Sequence, residues 1–275
     1  MKSEITLIIF SFLCALTMKA QIKTDTIKPF SIGETRVIKS SVLNENRTLN
    51  IYLPFNYNME KTYPVIYLLD GASNEDFLHI VGLVQFFNMQ VKMPDFIIVG
   101  IANVDRKRDF TFHTDIKSLK NEFPTTGGSE KFINFIENEL QPYIDSTYKT
   151  NDTKYIIGQS LGGLLASEIL LKKPHLFTHY LIVSPSLWWD DESLLKQTQQ
   201  LLDKQNETGC YIYISVGGQE EKIMQKKVKK FSMILQKEKK LNMKVEFLLL
   251  PKENHSTILH QSIYEGFKKL HPYKE

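Results

Sequence analysis

Cysteine is scarce in this chain, and this scarcity limits the chemistry that can hold the fold together. The 275 residues include two cysteines, Cys14 and Cys210. We expect Cys14 to be removed with an N-terminal segment, and Cys210 alone cannot form an intramolecular disulfide. Stability must therefore come from a buried core, which a chain of this length can supply.

A strong excess of charge of one sign is also missing. The chain has 34 basic and 31 acidic residues, which leaves a formal net charge of +3. Proteins that neutralise many phosphates carry a larger basic excess, so nucleic acid is not an expected partner. The densest basic stretch, Lys222 to Lys240, has apolar residues at helical spacing and predicts a solvated amphipathic helix.

The apolar run near the N-terminus is too short to cross a bilayer comfortably. Lys2 precedes the run Ile5 to Met18, and Ala20 stands before Gln21. A membrane-spanning helix needs about 20 apolar residues, whereas a basic head, a short apolar run and a small residue at the cleavage point are typical of a secretory signal. We predict a signal peptide over residues 1–20 and an exported protein, periplasmic or extracellular, with no stable membrane insertion.

Linkers and internal repeats are absent, so residues 21–275 are predicted to form a single domain. Short β-rich runs alternate with helical stretches from Pro64 onward, and runs such as 64–69 are apolar throughout, as in strands buried on both faces of a parallel sheet. The pattern predicts a mostly parallel α/β sheet of about eight strands with helices on both faces, and an antiparallel hairpin of the first two strands at one edge. The predicted strands cover residues 34–40, 48–53, 64–69, 96–101, 155–158, 180–184, 211–216 and 245–250, and the predicted helices residues 77–89, 129–148, 161–172, 192–202, 221–241 and 257–270.

A pentapeptide of the form Gly-x-Ser-x-Gly, residues 158–162, lies between a strand-like run and a helix-like run. A serine on so sharp a strand-to-helix turn adopts strained backbone angles, and glycines at 158 and 162 remove Cβ atoms that would collide with neighbouring segments. The pattern predicts Ser160 as the nucleophile of acyl chemistry.

A serine nucleophile needs a base and an orienting acid, which in open α/β sheets lie on loops at the carboxyl ends of strands. Of the seven histidines, His255 alone directly follows the final predicted strand, so it is the predicted base. Glu220 follows the penultimate strand and is the predicted acid, since Glu221 resembles the first turn of the next helix. Asp190 and Asp191 remain alternative acids.

The developing oxyanion needs backbone N–H donors. One is predicted to be that of Leu161, directly after the nucleophile, and another that of Gly71, in the loop after strand 64–69. The alternative for Gly71 is an ordinary turn. The expected chemistry requires no metal and no cofactor.

Two further groups are candidate substrate contacts. Trp188 and Trp189, the only tryptophans, follow strand 180–184 and would suit stacking on a flat aromatic or sugar ring, or at least one of them belongs to the core. Arg106 and Arg108 lie in an aperiodic segment, residues 103–128, which we predict to be the wall or lid of a pocket. They either hold an anionic or catecholate group or are solvated loop charges, and the second interpretation is slightly favoured.

Several motifs in one order resemble the esterase family of α/β-hydrolases, which includes siderophore, feruloyl and acetyl-xylan esterases. The likeness is greatest to the siderophore-esterase branch. It implies the α/β-hydrolase fold, a triad of Ser160, Glu220 and His255, and a place for Gly71 in the oxyanion region; Ser256, where glycine is frequent, leaves the role of His255 intact. The motifs are Tyr63-Pro-Val-Ile-Tyr-Leu-Leu-Asp-Gly71, Arg106-x-Arg108-Asp109, Gly127-Gly-Ser-Glu-Lys-Phe132, Gly158-Gln-Ser-Leu-Gly-Gly163, Ser184-Pro-Ser-Leu-Trp-Trp189, Gly217-Gly-Gln-Glu220 and His255-Ser256.

The sequence therefore predicts an exported serine hydrolase that cleaves carboxylic esters of small molecules through an acyl-enzyme. Siderophore esters and aromatic or acyl-sugar esters are the candidate substrates. The alternative is a non-catalytic protein that keeps the fold and binds a ligand near Trp188. The intact serine, acid and histidine argue against that alternative, because binding alone does not require them.

Overall fold

Strands and helices alternate along most of the chain, as predicted. The computed structural model describes residues 26–91, 93–206 and 209–273, and within them eight strands join in one sheet. The predicted signal over residues 1–20, with Cys14 and the cleavage point at Ala20, lies outside the described residues. The strands are β1 (Glu34–Ser40), β2 (Glu45–Tyr52), β3 (Tyr63–Leu68), β4 (Ile97–Ile101), β5 (Thr150–Gln159), β6 (His179–Val183), β7 (Tyr211–Gly217) and β8 (Lys244–Leu250).

The strand order across the sheet is β1-β2-β4-β3-β5-β6-β7-β8. The pairs β1/β2 and β2/β4 are antiparallel, and every other neighbouring pair is parallel. The predicted mostly parallel sheet is confirmed, and so is the hairpin at its edge. Because parallel strands end at the same edge, the loops after β3, β5, β6, β7 and β8 converge there.

Helices follow most of the strands. The segment predicted as one helix over residues 129–148 contains a π-helical turn at Ile136–Leu140, and the aperiodic segment 103–128 contains two short helices. The first of these is capped by the Asp105 side chain, which accepts from the Arg108 amide at 3.0 Å. The helices are α1 (Phe77–Val91), α2 (Arg106–Phe110), α3 (Lys117–Glu122), α4 (Ser129–Phe135), α5 (Gln141–Thr147), α6 (Leu161–Lys172), α7 (Trp189–Asp203), α8 (Lys222–Lys237) and α9 (Ile258–Leu270).

Two apolar layers enclose the sheet. Successive residues of β3 point to opposite faces, so that Val65 and Tyr67 join the layer formed with α4 to α8. Ile66 and Leu68 join the layer formed with α1 and α9. This double burial is the physical reason for the continuous apolar run in the sequence of β3. From Gly33 onward, the described residues form one compact unit.

The lysine-rich helix α8 is amphipathic, as predicted. Val228, Phe231 and Leu235 are buried in the core, whereas the lysines at 222, 229 and 230 are exposed. Within the part of the chain that the structure describes, no helix is both long enough and apolar enough to span a bilayer.

Candidate active site

Ser160 lies on a tight turn between β5 and α6, at the edge where the strand ends converge. Its backbone angles are φ 60° and ψ −117°, which a residue with a side chain rarely adopts. The turn is held by the Ser160 amide, which donates to the Val183 carbonyl at 3.1 Å. The strained turn that the pentapeptide predicts is therefore present, and it lifts the Ser160 side chain out of the sheet.

Close packing near Ser160 requires glycine at positions 158 and 163, whereas the sequence predicted 158 and 162. A Cβ on Gly158 would lie 2.5 Å from the Gly162 carbonyl oxygen, and a Cβ on Gly163 would lie 2.9 Å from that of Val183. A Cβ on Gly162 would meet nothing closer than 3.5 Å, an ordinary contact. The prediction was right for Gly158 and wrong for Gly162, because α6 packs against the end of β6 through Gly163 instead.

Glu220 and His255 come together from the loops after β7 and β8. The Nδ1 atom of His255 lies 2.8 Å from Oε2 of Glu220. Oε1 of Glu220 accepts from the Gly217 amide at 2.7 Å and from the Ser184 hydroxyl. Only 2% of the Glu220 side chain is exposed, whereas the His255 side chain is 45% exposed. The carboxylate is thus fixed below the surface, and the imidazole faces the solvent-accessible side.

The hydrogen bonds to Glu220 determine its ionisation. Burial raises the pKa of a carboxyl group, but the hydrogen bonds from His255, Ser184 and the Gly217 amide together lower the pKa of Glu220 below its ordinary value. Glu220 is therefore ionised at neutral pH and accepts a hydrogen bond from Nδ1–H of His255. The other ring nitrogen, Nε2, is then available to take a proton.

The alternative acids do not reach His255. Asp191 is 78% exposed and forms an ion pair with Lys196 at 2.6 Å. Asp190 accepts from the Thr114 hydroxyl at 2.7 Å. The structure brings Glu220 to His255 and leaves both aspartates elsewhere.

Ser160 and His255 line the same cavities. A cavity of about 540 Å³ elsewhere in the molecule does not include them, but one of about 730 Å³ contains Ser160, Ser186, Trp188, Glu220 and His255. The Ser160 Oγ atom lies 3.3 Å from the Ser186 Oγ atom. The 730 Å³ volume lies within the range of small-molecule sites, about 300–1,000 Å³.

The two predicted oxyanion donors differ in availability. Leu161 is the first residue of α6, and an amide in the first turn of a helix has no acceptor within the helix. The Gly71 amide, in contrast, donates to the Ile101 carbonyl at 3.0 Å. The prediction for Gly71 is therefore wrong: the chain after β3 continues to pair with β4, and this pairing uses the N–H group.

Arg106 lies beside Ser160, but its charge is already paired. Its Nε and Nη2 atoms donate to the two carboxylate oxygens of Asp70 at 2.6 and 2.9 Å. It lines a second cavity of about 430 Å³ that also includes Asp76, Ser160 and His255. Burial, followed by the neighbouring Asp70 and Glu75, raises the pKa of Asp76 to about 6. Arg106 is positioned to contact a substrate only together with its carboxylate partner.

Arg108 does not reach either cavity that contains Ser160. Its guanidinium group pairs with Glu45 at 2.7 Å and with Asp109 at 2.7 Å. The predicted substrate contact for Arg108 is therefore contradicted. Its partners connect α2 to β2, so its role is to hold the segment that carries Arg106.

The two tryptophans have different surroundings. Trp188 lines the 730 Å³ cavity with Ser160, as a substrate contact would. Trp189 is fully buried, and its Nε1–H donates to the Phe112 carbonyl at 2.9 Å. The predicted substrate contact is wrong for Trp189, which is a core residue because α7 packs this ring against Phe123.

Three polar residues at the site were not predicted from sequence. The Ser184 hydroxyl contacts Glu220, the Ser186 hydroxyl contacts Ser160, and the Gln159 side chain donates to the backbone carbonyl of His255. Ser184 and Ser186 stand directly after β6, at the edge where the strand ends converge. That position was the available signal, but serine is too common after strands to be singled out by it.

The described residues contain no cluster of candidate metal ligands. Among residues 26–91, 93–206 and 209–273, no group of three or more histidine, cysteine, aspartate or glutamate side chains could hold a metal ion.

The chain also matches known proteins. The family model described as "Putative esterase" matches residues 40–268. Ferri-bacillibactin esterase BesA of Bacillus subtilis (strain 168) is 34% identical over 220 residues, which cover 71% of this chain and 74% of that protein. A solved IroE-like serine hydrolase from Shewanella oneidensis is 30% identical, with a TM-score of 0.80 and coverage of 87% of this chain and 80% of its own. The BES protein from Bacillus cereus is 27% identical, with a TM-score of 0.77 and coverage of 91% and 98%.

These matches define the class of protein. The fold is that of the α/β-hydrolases, and the family model spans most of the chain. The chain belongs to the esterase family. The relatives that it matches include siderophore esterases. It is an esterase, and the family resemblance predicted from the motifs is confirmed.

Proposed function

We propose that this protein is an exported serine esterase that uses Ser160 as its nucleophile, His255 as its base and Glu220 as the acid that orients His255. The observation that carries this proposal is the 2.8 Å hydrogen bond between His255 Nδ1 and a buried, ionised Glu220. Glu220 and His255 line the same cavity as Ser160, which stands on a strained strand-to-helix turn. This is the arrangement by which a hydroxyl group is activated.

The reaction follows from the roles of these groups. Ser160 Oγ attacks the ester carbonyl carbon while His255 Nε2 takes the hydroxyl proton, and the Leu161 amide donates to the oxyanion. The C–O bond to the leaving group then breaks, and His255 returns the proton to the departing alkoxide. A water molecule, deprotonated by His255, hydrolyses the acyl-enzyme to release the carboxylic acid and restore Ser160. Glu220 stays ionised throughout and stabilises the imidazolium.

The substrates we propose are siderophore esters, with aromatic or acyl-sugar esters as the other candidates. The relative named Ferri-bacillibactin esterase supports the first class, at 34% identity. Trp188 offers an aromatic surface in the cavity, which suits a flat ring. The Arg106–Asp70 pair, on the other side of Ser160, offers both a donor and an acceptor to polar substituents.

Export is proposed from the sequence alone. Lys2, the apolar run Ile5 to Met18 and Ala20 have the order of a secretory signal. Edman sequencing of the protein recovered from the cell envelope or the medium should begin at Gln21. Recovery of the protein only inside the cell, with residues 1–20 intact, would contradict export.

Covalent labelling tests the nucleophile. A fluorophosphonate probe should label the wild-type protein and fail to label Ser160→Ala. The matched control is Ser167→Ala in α6: the Ser167 hydroxyl donates to the Gly163 carbonyl, and Ser167 does not line the cavities that contain Ser160. This variant should retain labelling. A folded wild-type protein that is neither labelled nor active on p-nitrophenyl acetate would refute a serine mechanism.

The acid and the substrate class need separate measurements. Glu220→Gln should lower kcat by about 10⁴-fold, as loss of the orienting carboxylate does in a serine triad, whereas Asp191→Ala should leave kcat unchanged.

The substrate class is tested by comparing the values of kcat/KM for ferri-bacillibactin, a feruloyl ester and an acetylated xylose. Hydrolysis of the sugar ester with no hydrolysis of ferri-bacillibactin would exclude the siderophore class.

A further inference from the structure

The segment after β6 contacts both ends of the proposed triad. Ser184 stands at the end of β6 and Ser186 two residues later. The Ser184 hydroxyl donates to Oε1 of Glu220, and the Ser186 amide donates to the Ser160 carbonyl at 3.0 Å. Both serines are almost completely buried. One short segment thus joins the acid to the turn that carries the nucleophile.

Ser184 has an unusual backbone conformation. Its φ is 40°, in the left-handed region that a residue with a side chain adopts at a cost. Its amide donates to the Ser215 carbonyl at 2.9 Å, which fixes the residue against the end of β7. Glycine would adopt this conformation without strain, so the presence of a serine calls for a function of the hydroxyl group.

The hydroxyl completes the set of donors around Glu220. Oε2 faces His255, and Oε1 receives the Gly217 amide and the Ser184 hydroxyl. A carboxylate held by three donors cannot rotate about its terminal bond without breaking at least one of these hydrogen bonds. The direction of the acceptor for His255 Nδ1–H is therefore set in part by Ser184.

We propose that Ser184 is a positioning residue for catalysis, because its hydroxyl fixes the Glu220 carboxylate in the orientation that His255 requires. This role rests on the triad proposed for ester hydrolysis. Ser184 is fully buried and does not line the cavities that contain Ser160, so it acts through Glu220 and does not contact the substrate.

Ser184→Ala should lower kcat for p-nitrophenyl acetate by about 10- to 100-fold, the range expected for losing a hydrogen bond to a charged group. KM should stay unchanged. Loss of one donor leaves more negative charge on Glu220 to stabilise the imidazolium form of its partner, so the acid limb of the kcat–pH profile, which reports protonation of the base, should also move to higher pH. A purely structural role would leave this limb in place.

The matched control is Ser215→Ala, one strand away. Ser215 is fully buried and its Oγ lies 2.6 Å from that of Ser262, so this variant loses a buried hydroxyl contact without touching Glu220. Its kcat should stay within about twofold of the wild-type value, because Ser215 accepts from the Ser184 amide through its backbone carbonyl, which alanine keeps. Equal effects of Ser184→Ala and Ser215→Ala on kcat would overturn the role of Ser184.

Two further variants separate hydrogen bonding from strain and folding. Ser184→Gly relieves the strained φ of 40° and should fold well, yet its kcat should be as low as that of Ser184→Ala; recovery of wild-type kcat would overturn the proposal.

In a Glu220→Gln background, Ser184→Ala should change kcat by less than about twofold, because the two residues act as one unit. A wild-type protein inactive on all esters would refute the proposed function itself, whereas an active wild type with an unaffected Ser184→Ala would refute this inference alone.

Discussion

Replacing Arg47 with methionine should destabilise the fold more than replacing any exposed arginine. Arg47 lies in β2 with its side chain completely buried, and its Nη1 atom donates to Asp109 at 2.7 Å and to Glu45 at 2.8 Å. Its Nη2 atom donates to the Ala102 carbonyl at 3.2 Å, and its guanidinium carbon lies 5.0 Å from the centre of the Phe132 ring. Methionine has a comparable shape but supplies no donor for these oxygens.

The magnitude follows from the charge that is left behind. Breaking one buried ion pair costs about 3–5 kcal/mol in the free energy of unfolding. Asp109 keeps its 2.7 Å contact with Arg108, so we expect the lower end, about 3 kcal/mol. For a domain of this size, 1 kcal/mol shifts Tm by about 2–4 °C. The expected loss is therefore about 6–12 °C.

Urea unfolding followed by tryptophan fluorescence, together with calorimetry, measures this loss. The control is Arg36→Met, which breaks a 2.8 Å pair with Glu34 between side chains that are 41% and 46% exposed; it should cost less than about 1 kcal/mol. Adding Asp109→Leu to Arg47→Met should recover part of the loss, because it removes a buried carboxylate that has lost one of its two arginine partners. Equal destabilisation by Arg47→Met and Arg36→Met would refute the reasoning.

Further predictions concern the turn, the pocket and the pH dependence of stability. Gly158→Ala should destabilise the fold by about 1–3 kcal/mol, since its Cβ would lie 2.5 Å from a backbone oxygen, whereas Gly82→Ala, with open space around it, should not; equal urea midpoints would contradict this. Trp188→Ala should raise KM about 3- to 10-fold for aromatic esters and leave KM for acetyl esters unchanged, while the buried Trp189→Ala should lower stability by about 3–5 kcal/mol; the reverse pattern would show that the wrong ring was assigned to the pocket. Asp76→Asn should stabilise the protein at pH 8 but not below pH 3.8. The pKa of Asp76 in the fold, about 6, lies above the ordinary 3.8, so the folded protein pays a free-energy penalty for ionising this carboxyl group. The penalty is complete above about pH 6 and is lost as the pH falls from 6 to 3.8. Urea midpoints at the two pH values check this, and a gain that persists in acid would exclude a charge effect.

Much of the site could be predicted because it depends on local patterns and chain order. The turn at Ser160 requires a strand, a helix and glycine at a crowded position, and all three leave a signal in neighbouring residues. His255 and Glu220 are far from Ser160 in sequence, but each follows a parallel strand. Since such strands end at one edge of the sheet, their order along the chain was enough to bring these residues together.

The predictions that failed depended on partners from distant segments. Nothing near Gly71 indicates that its amide pairs with the Ile101 carbonyl, and nothing near Arg108 indicates that its guanidinium group pairs with Glu45 in β2. Trp188 and Trp189 are neighbours of the same type, so composition could not tell which ring enters the core. Each of these outcomes depends on which long-range contact the residue makes.

The sequence by itself determined the α/β fold, the strained turn at Ser160 and the pairing of an acid with His255. Periodicity, glycine placement and the order of the strands can each be read from the sequence, and these three features are sufficient for those predictions. Only the tertiary structure decided which N–H groups remain available and which aromatic ring faces the cavity. It also decided that the Ser184 hydroxyl reaches Glu220. Hydrogen bonds and burial are properties of positions in space, and residues far apart in sequence meet there only after the sheet has formed.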